Sequence, residues 1–359
     1  MATIVFAGGG TAGHIEPALA VAREWNISHP DDEILFLGTK NGLENTLVPA
    51  NGFRLLLIPK VAISRKPSVT WLKIPFDLLN SIRASYAILQ SADLLIGFGG
   101  YVSAPAYLAA RLAKVPTLVH EANRQPGWSN RLGALLTPHL AVAHPVQSRE
   151  FRGALLTGLP LRADVAQACR ESSGDWMAAR VQAKTALGFD KNTPLIFIMG
   201  GSQGSVAINA IVAQSLEGLH LKDISILHSV GRLNSLPQAH PWYKPVSYVQ
   251  DMALAYLASD LLIARSGAVT CSEFAALGRY ALFVPLPVGN GEQAHNAGAL
   301  IHSGRAEVVA QSNFNSQYLL SSIDSLLSKS RAASSAGDTK DLNAAHKIVA
   351  LGEFALGAS

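Results

Sequence analysis

Glu273 is a carboxylate placed about one turn into an apolar helical stretch, residues 269–277, which opens behind the tight turn Arg265-Ser266-Gly267-Ala268. A short apolar run at 261–264 leads into the turn. A second, at 281–284, follows the stop at Gly278 and is closed by Pro285. Residues spaced in this way can hold a nucleotide. The N–H groups and dipole at the start of such a helix favour a phosphate, and a carboxylate one turn further in can accept two hydrogen bonds from the vicinal diol of a sugar. An ordinary βαβ unit with a solvated Glu273 fits the same residues, so the stretch alone leaves both readings open. The first gains from the rule that ligands of open α/β sheets sit beyond the strand C-termini.

Two glycine-rich loops could bind anions as well. Gly9-Gly10-Thr11-Ala12-Gly13 and Gly200-Gly201-Ser202-Gln203-Gly204 both read GG[ST]xG, each between a strand pattern and a helix pattern. Successive backbone N–H groups in such loops form an anion nest; a bare tight turn that lets helix and strand pack closely is the competing reading. Gly8, Gly10 and Gly13 also satisfy GxGxxG. The acid that would hold a dinucleotide ribose is missing, because the second strand ends in Gly38-Thr39-Lys40. A dinucleotide cofactor is therefore disfavoured, and no cofactor is expected. The chain has no GxxxxGK[ST] loop, no DxD, and eleven scattered His without ligand spacing, so no bound metal is expected either. Charge on a departing diphosphate would then fall to helix N-termini, hydroxyls and arginines.

The elements that must carry these loops occur in two runs. Strand patterns at 3–7, 34–37, 55–58, 94–98, 117–120, 140–143 and 155–157 alternate with helical ones. The pattern restarts at 194–199 and continues at 224–230, 246–249, 261–264, 281–284 and 307–309. Such alternation predicts parallel sheets covered on both faces. The two GG[ST]xG loops, one per run, predict two similar doubly wound domains. Length agrees: 359 residues suit two domains of about 100–200 residues each. Gly158-Leu159-Pro160-Leu161-Arg162 reads as the hinge, 169–191 as a polar helix or loop, 328–338 as a mobile loop, and 341–354 as a last helix that could return to the first domain. Two facing domains of this kind would leave a cleft in which donor and acceptor are oriented for reaction.

Composition removes other classes. With 49% hydrophobic and 15% charged residues there is material for two cores and no signature of disorder. Cys169 and Cys271 cannot build a disulfide framework, so a reducing compartment is expected. No basic and apolar leader opens the chain. The uncharged run 94–110 is broken by Gly97, Gly99, Gly100 and Pro105, so no transmembrane helix is predicted. A net charge of +4 suits an anionic substrate or membrane surface and is too weak to argue for nucleic acid.

Seven blocks, in this order, resemble the MurG family: GGGTAGHIEPALA, GFGGYVSAPAYLAA, HEANRQPGWSNRL, TGLPLR, MGGSQGS, RSGAVTCSEFAALG and GNGEQAHNA. These are the UDP-N-acetylglucosamine transferases that complete the lipid-linked disaccharide-pentapeptide of peptidoglycan. The similarity spans about residues 3–296. It implies an α/β GT-B glycosyltransferase fold, two Rossmann-like doubly wound domains with an interdomain cleft. Residues 1–160 would form the acceptor- and membrane-binding domain and 161–340 the UDP-sugar domain, with 341–359 returning to the first. The implied reaction is inverting transfer of N-acetylglucosamine from UDP-N-acetylglucosamine to the 4-hydroxyl of the N-acetylmuramyl-pentapeptide of lipid I, forming lipid II, without a bound metal. Another GT-B UDP-sugar transferase or an epimerase of related shape is the alternative; a non-catalytic scaffold for cell-wall enzymes is a third reading.

The resemblance also implies roles. Thr11, Ala12 and Gly13 would approach the donor sugar and phosphates, with Ala12 standing where the family usually has glycine. His14 would be the general base, an imidazole whose ordinary pKa near 6.5 suits neutral pH. Asn123 would contact the N-acetylglucosamine hydroxyls, Arg162 and Ser202 the donor diphosphate, and the Val249 backbone the uracil edge. Ala268, Val269, Thr270, Cys271, Ser272 and Glu273 would hold the α-phosphate and ribose, and Gln293 the sugar. Asn296 is expected as a hydrogen bonder at a helix start. Gly99, Gly100 and Tyr101 offer a second nest, for the diphosphate of the polyprenyl-linked acceptor, although Gly99-Gly100 also fits a plain turn. That acceptor places the enzyme peripherally at the cytoplasmic face of the cell membrane. Lys60, Arg65 and Lys66 before the apolar stretch 71–79, with Trp71 and Phe76, fit an interfacial patch on an anionic membrane; a packed helix is the competing reading.

Overall fold

The strand patterns assemble into two all-parallel sheets. The protein is described from a computed structural model that covers residues 1–61, 73–287, 291–333 and 336–358. The chain divides into two compact units, Met1–Arg162 with Asp341–Ser359, and Ala163–Lys340.

The first unit holds a seven-stranded sheet: β1 (Thr3–Gly8), β2 (Glu33–Gly38), β3 (Arg54–Leu57), β4 (Leu94–Gly99), β5 (Thr117–Glu121), β6 (His139–Val142) and β7 (Leu155–Leu156). Their spatial order is β3-β2-β1-β4-β5-β6-β7. Residues alternate faces along a strand. On β1, Ile4 and Phe6 join one apolar cluster and Val5 and Ala7 the other, and all four are fully buried. Both faces must therefore be apolar, which is why these strands read as continuous hydrophobic runs. One cluster includes Trp25 of the helix Ala12–Ser28 and Ile348 and Val349 of the last helix, Ala344–Gly357. A Cβ on Gly352 would stand 2.6 Å from the Trp25 ring, so glycine is what lets that helix lie close.

The second unit holds β8 (Leu195–Met199), β9 (Ser225–Ser229), β10 (Tyr243–Val246), β11 (Leu261–Ala264), β12 (Ala281–Phe283) and β13 (Ala306–Val308), in the order β10-β9-β8-β11-β12-β13. In each sheet the strand order reverses once, between β1 and β4 and between β8 and β11. The crevice at such a reversal, outside the strand C-termini, is where open α/β sheets bind ligands. The segments leaving these four strands are 9–11, 100–102, 200–205 and 265–267, the loops singled out in the sequence.

Two expectations need correction. The strand expected at 246–249 is Tyr243–Val246, paired Tyr243 to Ile226 and Val246 to Ser229. It includes Pro245, which an edge strand tolerates because proline lacks only the donor on its outer side. Val249 instead lies in the loop before the helix Met252–Ala258, whose cap Asp251 accepts from the Leu254 N–H at 2.8 Å. Residues 328–332, expected as loop, are the end of the helix Ser316–Ala332, which starts at an Asn315 cap and buries Leu319, Ile323, Leu326 and Leu327.

Candidate functional site

In the first unit the loop after β1 and the loop after β4 meet. The Gly9 N–H donates to the Gly99 carbonyl at 3.4 Å. Gly10, Gly99 and Gly100 all have φ between 84° and 94°, a region costly for residues with a Cβ. A Cβ on Gly100 would lie 2.1 Å from the Gly9 carbonyl oxygen and 3.1 Å from His14 Nδ1. The structure thus brings Gly99, Gly100 and Tyr101 against Gly9, Gly10 and His14.

His14 sits in the first turn of the helix Ala12–Ser28. Its Nδ1 lies 3.1 Å from the Gly9 carbonyl oxygen and 3.3 Å from Thr11 Oγ1. A carbonyl only accepts, so Nδ1 carries the proton in the first contact, and the lone pair of the neutral ring is then on Nε2. Thr11 is the helix N-cap but its side chain bonds no N–H of the first turn. Those N–H groups are the ones a helix start can offer to an anion. Thr11 is exposed, and Ala12 and Gly13 are part-exposed.

A residue that the sequence reading passed over lies beneath this loop. Glu44 is fully buried, and its Oε1 accepts from the Thr39 N–H (3.0 Å), the Thr39 hydroxyl (3.3 Å) and the Tyr101 hydroxyl (2.9 Å). Its Oε2 accepts from the Gly10 N–H at 3.3 Å. Burial, with the Glu44 charge acting in the same direction against the Thr39 hydrogen bond, pushes the Tyr101 phenol up to about 12. Lys60 Nζ stands 5.0 Å from the centre of the Tyr101 ring.

Asn123 follows β5, and both its backbone N–H and its side-chain amide donate to Glu121 Oε1, at 2.8 and 3.1 Å. Glu121 Oε2 takes the Gly127 N–H and Asn130 Nδ2, each at 3.0 Å. Burial raises the Glu121 carboxyl above the usual range, against the pull of these donors. Asn130 also accepts from the buried Tyr107 hydroxyl at 2.8 Å and lies against Gly99. Glu121 and Asn130 thus shape the Asn123 loop; both stood inside the HEANRQPGWSNRL block without an assigned part. Arg162 Nε is 3.3 Å from Glu16 Oε1, an ion pair that docks the end of this unit on the helix of His14.

In the second unit Ser202 is part-exposed in the loop after β8, where Gly201 and Gly204 have φ of 89° and 77°. Ser205 ends the loop and caps the helix Val206–His220. Behind β11, Gly267 precedes the helix Ala268–Ala276 and brings no side-chain cap. Ala268, Val269, Cys271 and Ser272 are buried and Thr270 is part-exposed. Burial pushes the Cys271 thiol far up. Glu273 is not a solvated acid: it is fully buried, and its Oε2 accepts from the Tyr256 hydroxyl at 3.2 Å. Val249 is buried too, beside Tyr248, whose ring lies under the Arg232 guanidinium at 4.6 Å.

Ser266 gathers the last block. Its hydroxyl donates to the Gln293 carbonyl at 2.7 Å, and its own carbonyl accepts from Asn296 Nδ2 at 3.1 Å. Gln293 Oε1 takes the Leu286 N–H at 3.0 Å. Asn296, expected at a helix start, is the last residue of the short helix Glu292–Asn296. Arg265, read only as a turn residue, is buried and reaches the Val284 and Pro285 carbonyls, Ser205 and Gln311. A buried arginine with many donors was signalled in the sequence only by its place between an apolar strand and a glycine.

The helix Ile74–Leu89 buries Ser81, Ser85 and Leu89 and exposes Phe76, Leu79, Arg83 and Tyr86. These four share a stripe at three- and four-residue spacing. Arg65, Lys66 and Trp71 lie outside the described residues. Among the described residues, no helix is long and apolar enough to cross a membrane.

Residues 4–151 match the glycosyltransferase family 28 N-terminal domain and residues 195–351 the family 28 C-terminal domain. A relative from Thermobifida fusca is 41% identical over 363 residues, covering 97% of this chain and 94% of that one. A relative from Corynebacterium glutamicum is 43% identical over 352 residues, covering 97% and 96%. Both are called UDP-N-acetylglucosamine–N-acetylmuramyl-(pentapeptide) pyrophosphoryl-undecaprenol N-acetylglucosamine transferase. Among solved structures, MurG of Acinetobacter baumannii is 26% identical, with a TM-score of 0.68 over 99% of this chain and 100% of that one.

Proposed function

The chain belongs to the MurG family within glycosyltransferase family 28, and on that premise we propose that it moves N-acetylglucosamine from UDP-N-acetylglucosamine to the 4-hydroxyl of lipid-linked N-acetylmuramyl-pentapeptide, forming lipid II. One observation carries this reading beyond family membership: the motif loops leave the four strands that flank the two sheet reversals, where the fold binds ligands.

In this reading the donor contacts are those the family resemblance implies, Arg162 and Asn123 belonging to the first unit and the others to the second. The N–H groups opening the helix Ala268–Ala276 meet the α-phosphate, Ser202 and Arg162 the diphosphate, the Val249 backbone the uracil, Glu273 the ribose, and Gln293 with Asn123 the sugar. Glu273 would have to exchange its Tyr256 partner for the diol, or accept from both. The first unit holds the acceptor, its diphosphate against Gly99, Gly100 and Tyr101. His14 Nε2 takes the proton of the 4-hydroxyl as that oxygen bonds to C1 and the C1–O bond to UDP breaks, inverting the centre. Phe76 and Leu79, with Arg83 on the same helix stripe, rest on the cytoplasmic face of the cell membrane as a peripheral contact.

The deciding assay is UDP release from UDP-N-acetylglucosamine. Release with the lipid-linked acceptor and none with water alone is the expected result. Equal release with and without acceptor, or an epimerised sugar, sinks the proposal.

A further inference from the structure

One peptide unit joins Glu44 to His14. The N–H of Gly10 and the C=O of Gly9 belong to the same peptide, which is planar and here trans, so they point in opposite directions. The N–H donates to Glu44 Oε2 at 3.3 Å, and the C=O faces His14 Nδ1 at 3.1 Å. The order is carboxylate, peptide, imidazole.

The fold makes room for this arrangement. A Cβ on Gly42 would lie 2.0 Å from a carboxylate oxygen of Glu44, and one on Gly38 2.5 Å from its Cγ. Glu44 is fully buried although it begins a surface-type helix, Glu44–Ala50. Both oxygens accept from backbone N–H groups, the acceptor-only pattern of an ionised carboxylate. A buried carboxylate so held is costly unless fully bonded; here Thr39, Tyr101 and Gly10 supply the donors.

We propose that Glu44 is a positioning residue that acts on His14 through the Gly9–Gly10 peptide. This rests on the reading of His14 as the base. The negative charge fixes the peptide plane and polarises it. The Gly9 carbonyl then holds the proton on Nδ1 and makes Nε2 the more basic nitrogen, as hydrogen bonds in a chain strengthen one another. When the acceptor 4-hydroxyl gives its proton to Nε2, Nδ1 keeps its own, and the positive ring faces a carbonyl polarised by Glu44. Charged and titratable groups near the loop include Tyr101, with Lys60 over its ring, and the Glu16–Arg162 pair further along the helix.

The test is Glu44→Gln. The amide keeps the shape and one acceptor. If that oxygen turns to Thr39 and Tyr101, the amide NH2 is left facing the Gly10 N–H, donor against donor. The expected result is a fall in kcat on the order of tenfold, against the ~10²–10⁴ that a general base supplies in all, with the KM for the donor unchanged. The acid limb of the pH–rate profile should move by about half a unit to lower pH, because loss of the negative charge makes the imidazole less basic. A purely structural role would lower activity without moving that limb. Nitrogen NMR of His14 in the unaltered protein gives a second readout that needs no variant: Nδ1–H in the neutral ring is expected, and Nε2–H overturns the proposal. An unmoved pH limb and His14 titration in Glu44→Gln overturn it as well. Failure of the base reading itself would look different, as unchanged kcat in His14→Ala.

Discussion

Arg265 Nη2 donates to the Ser205 hydroxyl at 2.8 Å, joining the turn behind β11 to the cap of the helix behind β8. The same guanidinium holds the Val284 and Pro285 carbonyls at the end of β12, at 2.9 and 3.0 Å. One side chain thus sets the spacing of three loops at the C-terminal ends of adjacent strands in the second sheet. Arg265→Lys keeps the charge and loses the planar fork. Hydrogen bonds to charged groups contribute about 1.5–3 kcal/mol each, so losing two should destabilise the second unit by roughly 3 kcal/mol or more. Thermal unfolding should report this, and calorimetry should find weaker UDP binding. Unchanged UDP affinity would free the donor loops from dependence on Arg265.

Acid should unfold the protein through two buried imidazoles. Burial holds His120 and His228 down at about 4. Nε2 of His120 is 3.1 Å from the Gly158 carbonyl, and His228 lies between the Tyr243 hydroxyl and Asn209. An unfolded imidazole titrates near 6.5. Between about 6.5 and 4 the unfolded chain binds protons that the folded chain refuses, so stability rises with pH across that window. At about 1.4 kcal/mol per unit, each residue contributes roughly 3 kcal/mol that is present above pH 6.5 and gone by pH 4. Urea unfolding at pH 7.5 and pH 5 should show the loss, one histidine reporting on each unit. Equal midpoints at the two pH values would contradict it.

Phe76 is 70% exposed and Leu79 44% exposed on one stripe of their helix. Burying such a side chain in a bilayer interface is favourable by about 1.5–3 kcal/mol. Phe76→Asp with Leu79→Asp should therefore cut flotation with anionic vesicles by at least about a hundredfold, and leave UDP affinity unchanged. Vesicle binding that survives both substitutions would remove the membrane role of this face.

The sequence displayed the sheets and their loops because those depend on neighbours along the chain. A buried strand must be apolar on both faces, and a loop at left-handed φ is marked by glycine, as at Gly10, Gly100 and Gly201. Glu44 was illegible for the opposite reason. In Gly42-Leu43-Glu44 it reads as a first-turn acid on an exposed helix, and its burial depends on Tyr101, 57 positions away. The visible trace was Gly38 and Gly42 just ahead of a lone acid. Glu273 was singled out by position, but its burial against Tyr256 depends on another helix and left no local mark. The strand at Tyr243–Val246 was misplaced because Pro245 argues against a strand unless the strand is known to lie at an edge.

The first unit takes its closing helix, Ala344–Gly357, from the far end of the chain. As the ribosome delivers the protein, the second unit can complete its sheet while the apolar strip over Trp25 and Leu94 still awaits Gly352 and its neighbours. The half that is translated earliest is therefore expected to be the one that finishes folding last, with a sticky surface open to chaperones throughout synthesis of its companion.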